Sequence, residues 1–166
     1  MKKIIYLSLF LAITCGIAGF GLSYVNGITS PIIEERQIAA EKVNLDKIFP
    51  NGEFSDGKYS DKVVEKVFIA KDQGLIFKLN KMGYKENITM LLGVDNNGKI
   101  VGFNVLQFND TKGIGDAILK DDFTNKIIGS KIDQEVDTIS GATYSSKAVS
   151  DAIIAANEAY QAKFKK

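Results

Sequence analysis

"ITMLLGVDNNGKIVGFNVLQF" (residues 88–108) reads as two apolar runs on either side of one polar turn. Asn97 and Gly98 both tolerate positive φ, so the chain reverses tightly within "DNNGK". Each flanking run is short and rich in β-branched and aromatic residues, and the pair reads as a hairpin. Working backwards, "VVEKVFIAKD" (63–72) and "LIFKLNKMGY" (75–84) form a second hairpin around "QG", and the polar, Gly-bearing "NGEFSDGKYSD" (51–61) is a loop. Working forwards, the Gly-rich "DTKGIGD" (110–116) leads into a helix from Ala117 to about Ile128. An irregular stretch, "GSKIDQEVD" (129–137), follows. The last helix, Tyr144 to Lys165, carries Val149, Ala152, Ile153, Ala156 and Tyr160 on one apolar face at the helical period. Hairpins followed by helices predict an α+β domain with a mostly antiparallel sheet and packed helices.

The amino terminus has a different character. Lys2 and Lys3 are followed by no charge until Glu34, and Ile4 to Val25 is strongly apolar. At about 1.5 Å per residue that stretch crosses the roughly 30 Å hydrocarbon core of a bilayer. A cleaved secretory signal is the competing reading, but its apolar part usually runs only about 7–15 residues. We read residues 1–28 as one transmembrane anchor in membrane lipid. By the positive-inside rule, Lys2 and Lys3 place the amino end in the cytoplasm. The rest of the chain then lies on the extracytoplasmic side of the cell's inner membrane. Ser30, Pro31, Glu34 and Glu35 suit the start of a new helix or the continuation of the first. Residues 29–50 read as a helical juxtamembrane stalk, and residues 51–166 as the domain.

Composition removes most site chemistries. The chain of 166 residues has no His, no Trp and a single Cys, Cys15. It therefore offers no Ser-His-Asp triad, no imidazole-bearing metal site and no four-cysteine cluster, and we expect no metal centre. With 21 basic and 20 acidic residues there is no global field for nucleic acid. Any electron handling falls to an organic cofactor.

"DTISGATYSSKAV" (137–149) sits between the irregular stretch and the last helix. Unpaired N–H groups and the positive end of the helix dipole at such a turn suit a phosphate. The plainer reading is that Ser140 or Thr143 caps the helix. Lys147, one turn in, either offsets phosphate charge or is simply solvated. Tyr144 and Phe108 either pack near a ligand or belong to the core.

"D-T-I-S-G-A-T", Asp137 to Thr143, resembles the flavinylation motif of FMN-binding domains, Asp-x-x-Ser/Thr-Gly-Ala-Thr. The resemblance implies that Thr143 carries FMN through a phosphoester, with Ser140, Gly141 and Ala142 shaping the turn. Asp137 then belongs to the signal read by a dedicated flavin transferase, which makes the bond from FAD. A Thr hydroxyl is a weak nucleophile with no His here to activate it, so an external enzyme is needed. The block 88–116 is similar to the same family's strand–turn–strand followed by a Glu-Thr-Pro-Gly-Leu-Gly loop. Here that loop reads Asp110, Thr111, Lys112, Gly113, Ile114, Gly115: Asp replaces Glu and Lys replaces Pro, while both Gly are kept. By resemblance Thr111, Gly113, Ile114 and Gly115 approach the isoalloxazine ring.

The anchor and single domain together resemble the flavinylated subunits of Rnf-type ion-translocating oxidoreductase complexes, with longer relatives in the sodium-pumping NADH:quinone oxidoreductases. That resemblance implies an electron-transfer subunit coupled to Na+ or H+ movement. Its partners are the other membrane and peripheral subunits of the complex, and alone it has no complete catalytic cycle. Two other readings stay open at this point: a free-standing anchored flavoprotein, and a non-redox binding domain whose Ser/Thr turn is only a cap.

Overall fold

Strands that alternate with tight turns pair with their sequence neighbours, and in this computed structural model they form one five-stranded antiparallel meander, in the order β1 to β5. The strands are β1 (Phe54–Asp56), β2 (Val64–Ala70), β3 (Gly74–Met82), β4 (Asn87–Asp95) and β5 (Ile100–Phe108). The structure describes residues 2–108 and 115–164, except for the side chains of residues 2 and 27–39. It divides into two compact units, Met1–Val43 and Asn44–Lys166.

Helix α1 (Lys2–Asp46) is continuous. Of the two readings of Ser30–Pro31, continuation of the first helix is the one adopted, even though a proline contributes no N–H to the helical ladder. Within α1, Lys3–Asn26 is long and apolar enough to cross a membrane, with none of it buried inside the protein. That fits a single span.

In the second unit, the central strands are apolar on both faces because both faces are covered. Phe77, Leu79, Met90 and Leu92 point to one side, where they join Val149, Ala152, Ile153 and Ala156 of α3 (Thr143–Ala159). Ile76 and Leu91, one residue out of phase, point to the other and meet Phe68, Leu45 and Phe49. Successive residues of a strand face opposite ways, so a continuous apolar run such as "MLL" feeds two cores at once. The second core is the smaller. Its cover is the final turn of α1 and the turn after it, and Ile48 lies over Gly93 and Gly102, which oppose each other across β4 and β5. Gly102 given a Cβ would bring that atom within 2.9 Å of Ile48 Cγ2, and a Cβ on Gly93 would overlap the same methyl outright.

Three expectations need correction. Residues 51–61 are not all loop: Phe54, Ser55 and Asp56 pair with Ala70, Ile69 and Phe68 as an edge strand too short to show alternation. The single helix expected over Ala117–Ile128 is two pieces, a 3-10 turn (Asp116–Leu119) and α2 (Asp121–Ile127). Lys120 between them is extended, at φ −78° and ψ 145°. The last helix starts at Thr143 and keeps α geometry only to Ala159, then widens to a π turn over Tyr160–Phe164. The turn at "DNNGK" forms as expected. Asp95 Oδ1 accepts from the N–H groups of Asn97 and Lys99, at 2.8 and 2.9 Å, and Gly98 takes φ +79°.

Overpacking a filled core typically costs about 1–3 kcal/mol. Gly93→Ala should therefore destabilise the second unit by about that amount in urea unfolding of the detergent-solubilised chain, followed by near-ultraviolet circular dichroism. In an Ile48→Ala background, which removes the opposing methyl, the same change should be nearly neutral, and the double-mutant cycle measures that coupling.

Candidate functional site

The site is built on the start of α3. Ala142 N–H donates to Ile139 O at 3.0 Å, closing a β-turn over Ile139–Ala142. Gly141 is the third residue of that turn and has φ +87°. A type II turn demands glycine at this position, because an L side chain there is strained. Ala142 is buried, so the residue after the glycine must be small, and it occupies the N-cap position without any side-chain hydrogen bond to the helix start. Ser140 and Thr143 are both exposed. The capping reading of either hydroxyl therefore fails: the cap is an alanine, and Thr143 is the first residue of the helix itself.

Ser146 performs the structural task that capping would have assigned to Ser140 or Thr143. It is fully buried, and its Oγ accepts from Ile139 N–H at 3.0 Å while donating back to Ala142 O at 2.9 Å. One hydroxyl thus ties the first and last residues of the turn to the first full turn of α3. Such bonds to a backbone carbonyl within a helix turn are a habit of serine. Thr143 joins this network only through its backbone carbonyl, which also accepts from Ser146 Oγ at 3.3 Å. Its hydroxyl has no hydrogen-bond partner among the described residues, and it stands at the end of α3 where the dipole and the first N–H groups favour an anion.

The sheet places this helix end. α3 runs along the sheet with its start near the β3–β4 turn, where the rings of Tyr84 and Tyr144 meet at 5.5 Å. Lys81 Nζ and Asp151 Oδ2 approach to 3.9 Å half-way along. Beyond the far end of α3, Tyr160 reaches Asn96 O at 3.5 Å, at the β4–β5 turn. β5 ends at Phe108 opposite Ile88, so the chain leaves the sheet at the end nearer Tyr84. Of the predicted ring-approaching residues, Gly115 is described and is buried at the entry to the 3-10 turn. Thr111, Gly113 and Ile114 lie outside the described residues.

The other candidates occupy the surface. Lys147 is exposed with no ion pair among the described residues. Asp137 is exposed beside a cavity of about 470 Å³ shared with Lys126, Ser130 and Gln134. A cavity of about 760 Å³ is at the other end of α3, between the β4–β5 turn, Lys131 and Tyr160. A helix of 17 residues separates that cavity from Thr143 by roughly 25 Å at 1.5 Å per residue. Sequence reading missed Tyr84 entirely. Its signal, an aromatic in a hairpin turn, acquires meaning only once the turn is seen beside Tyr144.

A family model for the FMN-binding domain matches residues 83–158. That span begins one residue before Tyr84 and takes in the hairpin, the turn and most of α3. That part of the chain is similar to FMN-binding domains. The chain is also similar over most of its length to the G subunits of ion-translocating complexes. The G subunit of the proton-translocating ferredoxin:NAD(+) oxidoreductase complex of Clostridium ljungdahlii is 27% identical, over 86% of this chain and 84% of the relative. The G subunit of the Na(+)-translocating ferredoxin:NAD(+) oxidoreductase complex of Acetobacterium woodii is 23% identical, over 96% and 93%. The G subunit of the ion-translocating oxidoreductase complex of Erwinia tasmaniensis is 27% identical, over 92% and 85%. The resemblance to subunits of this type, read first from the Asp137–Thr143 motif, holds along the chain.

The hydrogen-bond network makes the hydroxyls separable. Ser146→Ala leaves Ile139 N–H without its acceptor and should cost about 1–3 kcal/mol in urea unfolding. Thr143→Ala removes an exposed hydroxyl that no described residue engages and should stay within about 0.5 kcal/mol of the parent.

Proposed function

We propose that the chain is the membrane-anchored electron-transfer subunit of an Rnf-type ferredoxin:NAD+ oxidoreductase complex coupled to Na+ or H+ translocation, with FMN joined to Thr143 by a phosphoester. The observation that carries the attachment is the exposed hydroxyl of Thr143, free of hydrogen bonds among the described residues and set at the positive end of α3. The residues around it suit a phosphate. Ala142 is too small to cover it, nothing lies within 4 Å of where a Gly141 side chain would point, and Lys147 is one turn along the helix.

The chain supplies the acceptor hydroxyl but no imidazole base for its proton, since it contains no His. A separate flavin transferase fits that need. The Thr143 oxygen attacks the FMN phosphorus of FAD, the pyrophosphate bond breaks, AMP leaves, and the threonine proton passes to a base on the transferase. Flavin bound in this way accepts and releases electrons one at a time or in pairs, chemistry that belongs to the cofactor. The protein anchors it, orients it and sets its surroundings. By the positive-inside rule, Lys2 and Lys3 near the amino end favour an amino terminus in the cytoplasm and a domain on the extracytoplasmic side of the inner membrane. Lost flavin is hard to replace there, so a covalent bond is an advantage. The electron donor and acceptor are other subunits of the complex.

The test is coexpression with a flavin transferase, denaturation in SDS and inspection of the gel for flavin fluorescence. Wild-type chain should give a fluorescent band, and Thr143→Ala a dark one with α3 intact by circular dichroism. A dark wild-type band beside a labelled control substrate, or a bright Thr143→Ala band, would refute the attachment. Topology has its own check: protease added outside spheroplasts should digest the domain and spare the extreme amino terminus, whereas protection of the domain reverses the orientation.

A further inference from the structure

Tyr84 and Tyr144 are 51% and 69% exposed, yet their rings are in contact, with centroids 5.5 Å apart and planes tilted by 53°. The two come from elements far apart in sequence. Tyr84 sits in the β3–β4 turn, which is closed by Gly83 N–H donating to Glu86 O at 2.9 Å. Tyr144 is the second residue of α3, held along the sheet by its buried face and by the Lys81–Asp151 pair. Met82, 56% exposed, adds a further apolar side chain from the end of β3. Aromatic side chains of this size are usually buried on average, and a rigidly mounted pair left on the surface is a platform for something flat.

We propose that Tyr84 and Tyr144 seat the isoalloxazine ring of the FMN carried on Thr143. This rests on the attachment proposed above and extends it to the ring. Thr143 and Tyr144 are chain neighbours, with Cα atoms about 3.8 Å apart. Whatever is joined to the one begins beside the other. The ribityl chain between phosphate and ring is flexible enough to fold back on the same helix end, and the space above Gly141 is open. The two phenols touch, so a third ring does not enter between them. It lies against their exposed sides, in an offset or tilted stack of the kind aromatic pairs prefer. A tethered ring is present at an effective concentration of order mM, so a shallow surface holds it without a deep pocket. That is also what selects the flavin over a partner protein as occupant: the partner must diffuse to this surface, while the ring is already there.

The experiment uses the full chain, flavinylated by coexpression with a transferase and held in detergent. Its readout is flavin emission before and after unfolding of the same sample. Contact with a phenol quenches flavin emission through an electron that passes from the phenol to the excited ring and returns. Wild-type chain should therefore be dim when folded and should brighten on unfolding. Tyr84→Leu should raise the folded emission at least twofold, and Tyr144→Leu, on the other element, should do the same. Tyr84→Trp, which restores a stacking and quenching ring, should return it to the wild-type level. Flavin per chain after unfolding should be unchanged in Tyr84→Leu, since Tyr84 lies outside the attachment motif. If both leucine variants keep the wild-type ratio of folded to unfolded emission at equal flavin content, the seat is overturned and the attachment stands. A wild-type chain that carries no flavin after unfolding overturns both.

Discussion

The face that α3 presents to the sheet is the constraint on which the rest depends. Ala148, Ala152, Ala156 and Ala159 let the helix lie close to β2, β3 and β4, and Val149 and Ile153 fill the space between. Side chains this small permit close approach but offer few rotamers, so the helix has little freedom to shift or roll without opening a gap in the packing. The first turn of α3 is thereby fixed against the β3–β4 end of the sheet. The position of Thr143 is a consequence of core packing some distance away, which is how a site built of exposed residues stays in place.

Within that frame the hydroxyls of the Ser/Thr turn divide by burial. Ser146 points inward, is fully buried, and commits both its donor and its acceptor to the backbone of the turn. Thr143 points outward and commits neither among the described residues. A buried hydroxyl without partners would be costly and an exposed one is not, so the chain can leave Thr143 uncommitted only because Ser146 carries the structural bonds. Gly141 belongs to the same scheme. Its positive φ turns the chain so that Ala142 goes in and Thr143 comes out, one residue apart.

Much of this was legible in the sequence. The β4–β5 hairpin was readable because "DNNGK" carries its own turn chemistry, and α3 because five apolar positions fall on one helical face. The Ser-Gly-Ala-Thr stretch was visible as a break before the helix, and it was the resemblance to the FMN-binding motif that set it apart from an ordinary cap. What failed to show has physical causes. β1 contributes only Phe54, Ser55 and Asp56, too few for alternation, and it exists because β2 offers an open edge. The break at Lys120 lies inside an apolar pattern that reads as one helix, and no Gly or Pro marks it. Ser146 is one of five Ser and Thr residues between Asp137 and Val149, and nothing in the sequence sets it apart, because burial is a property of the packed helix. Tyr84 and Tyr144 belong to elements far apart along the chain, and only the packing of α3 on the antiparallel meander brings them together.

A start of α3 that lies open among the described residues is consistent with a covalently held cofactor. Noncovalent sites for molecules the size of a drug or nucleotide usually enclose about 300–1,000 Å³ and bury most of the ligand, because affinity must come from contact. A cavity of about 760 Å³ lies at the opposite end of the helix, about 25 Å from Thr143 by the rise of α3, while those of about 440 and 470 Å³ beside Met82 and Asp137 are more open to solvent. The phosphoester proposed above would remove the affinity requirement. The domain would then need only a hydroxyl that a second enzyme can reach and a surface on which the ring rests. Under that proposal both are better exposed than buried, since electrons would pass to neighbouring subunits and the transferase would need access first. An enclosed pocket would oppose each of those steps, whereas an open turn at the positive end of a helix opposes neither.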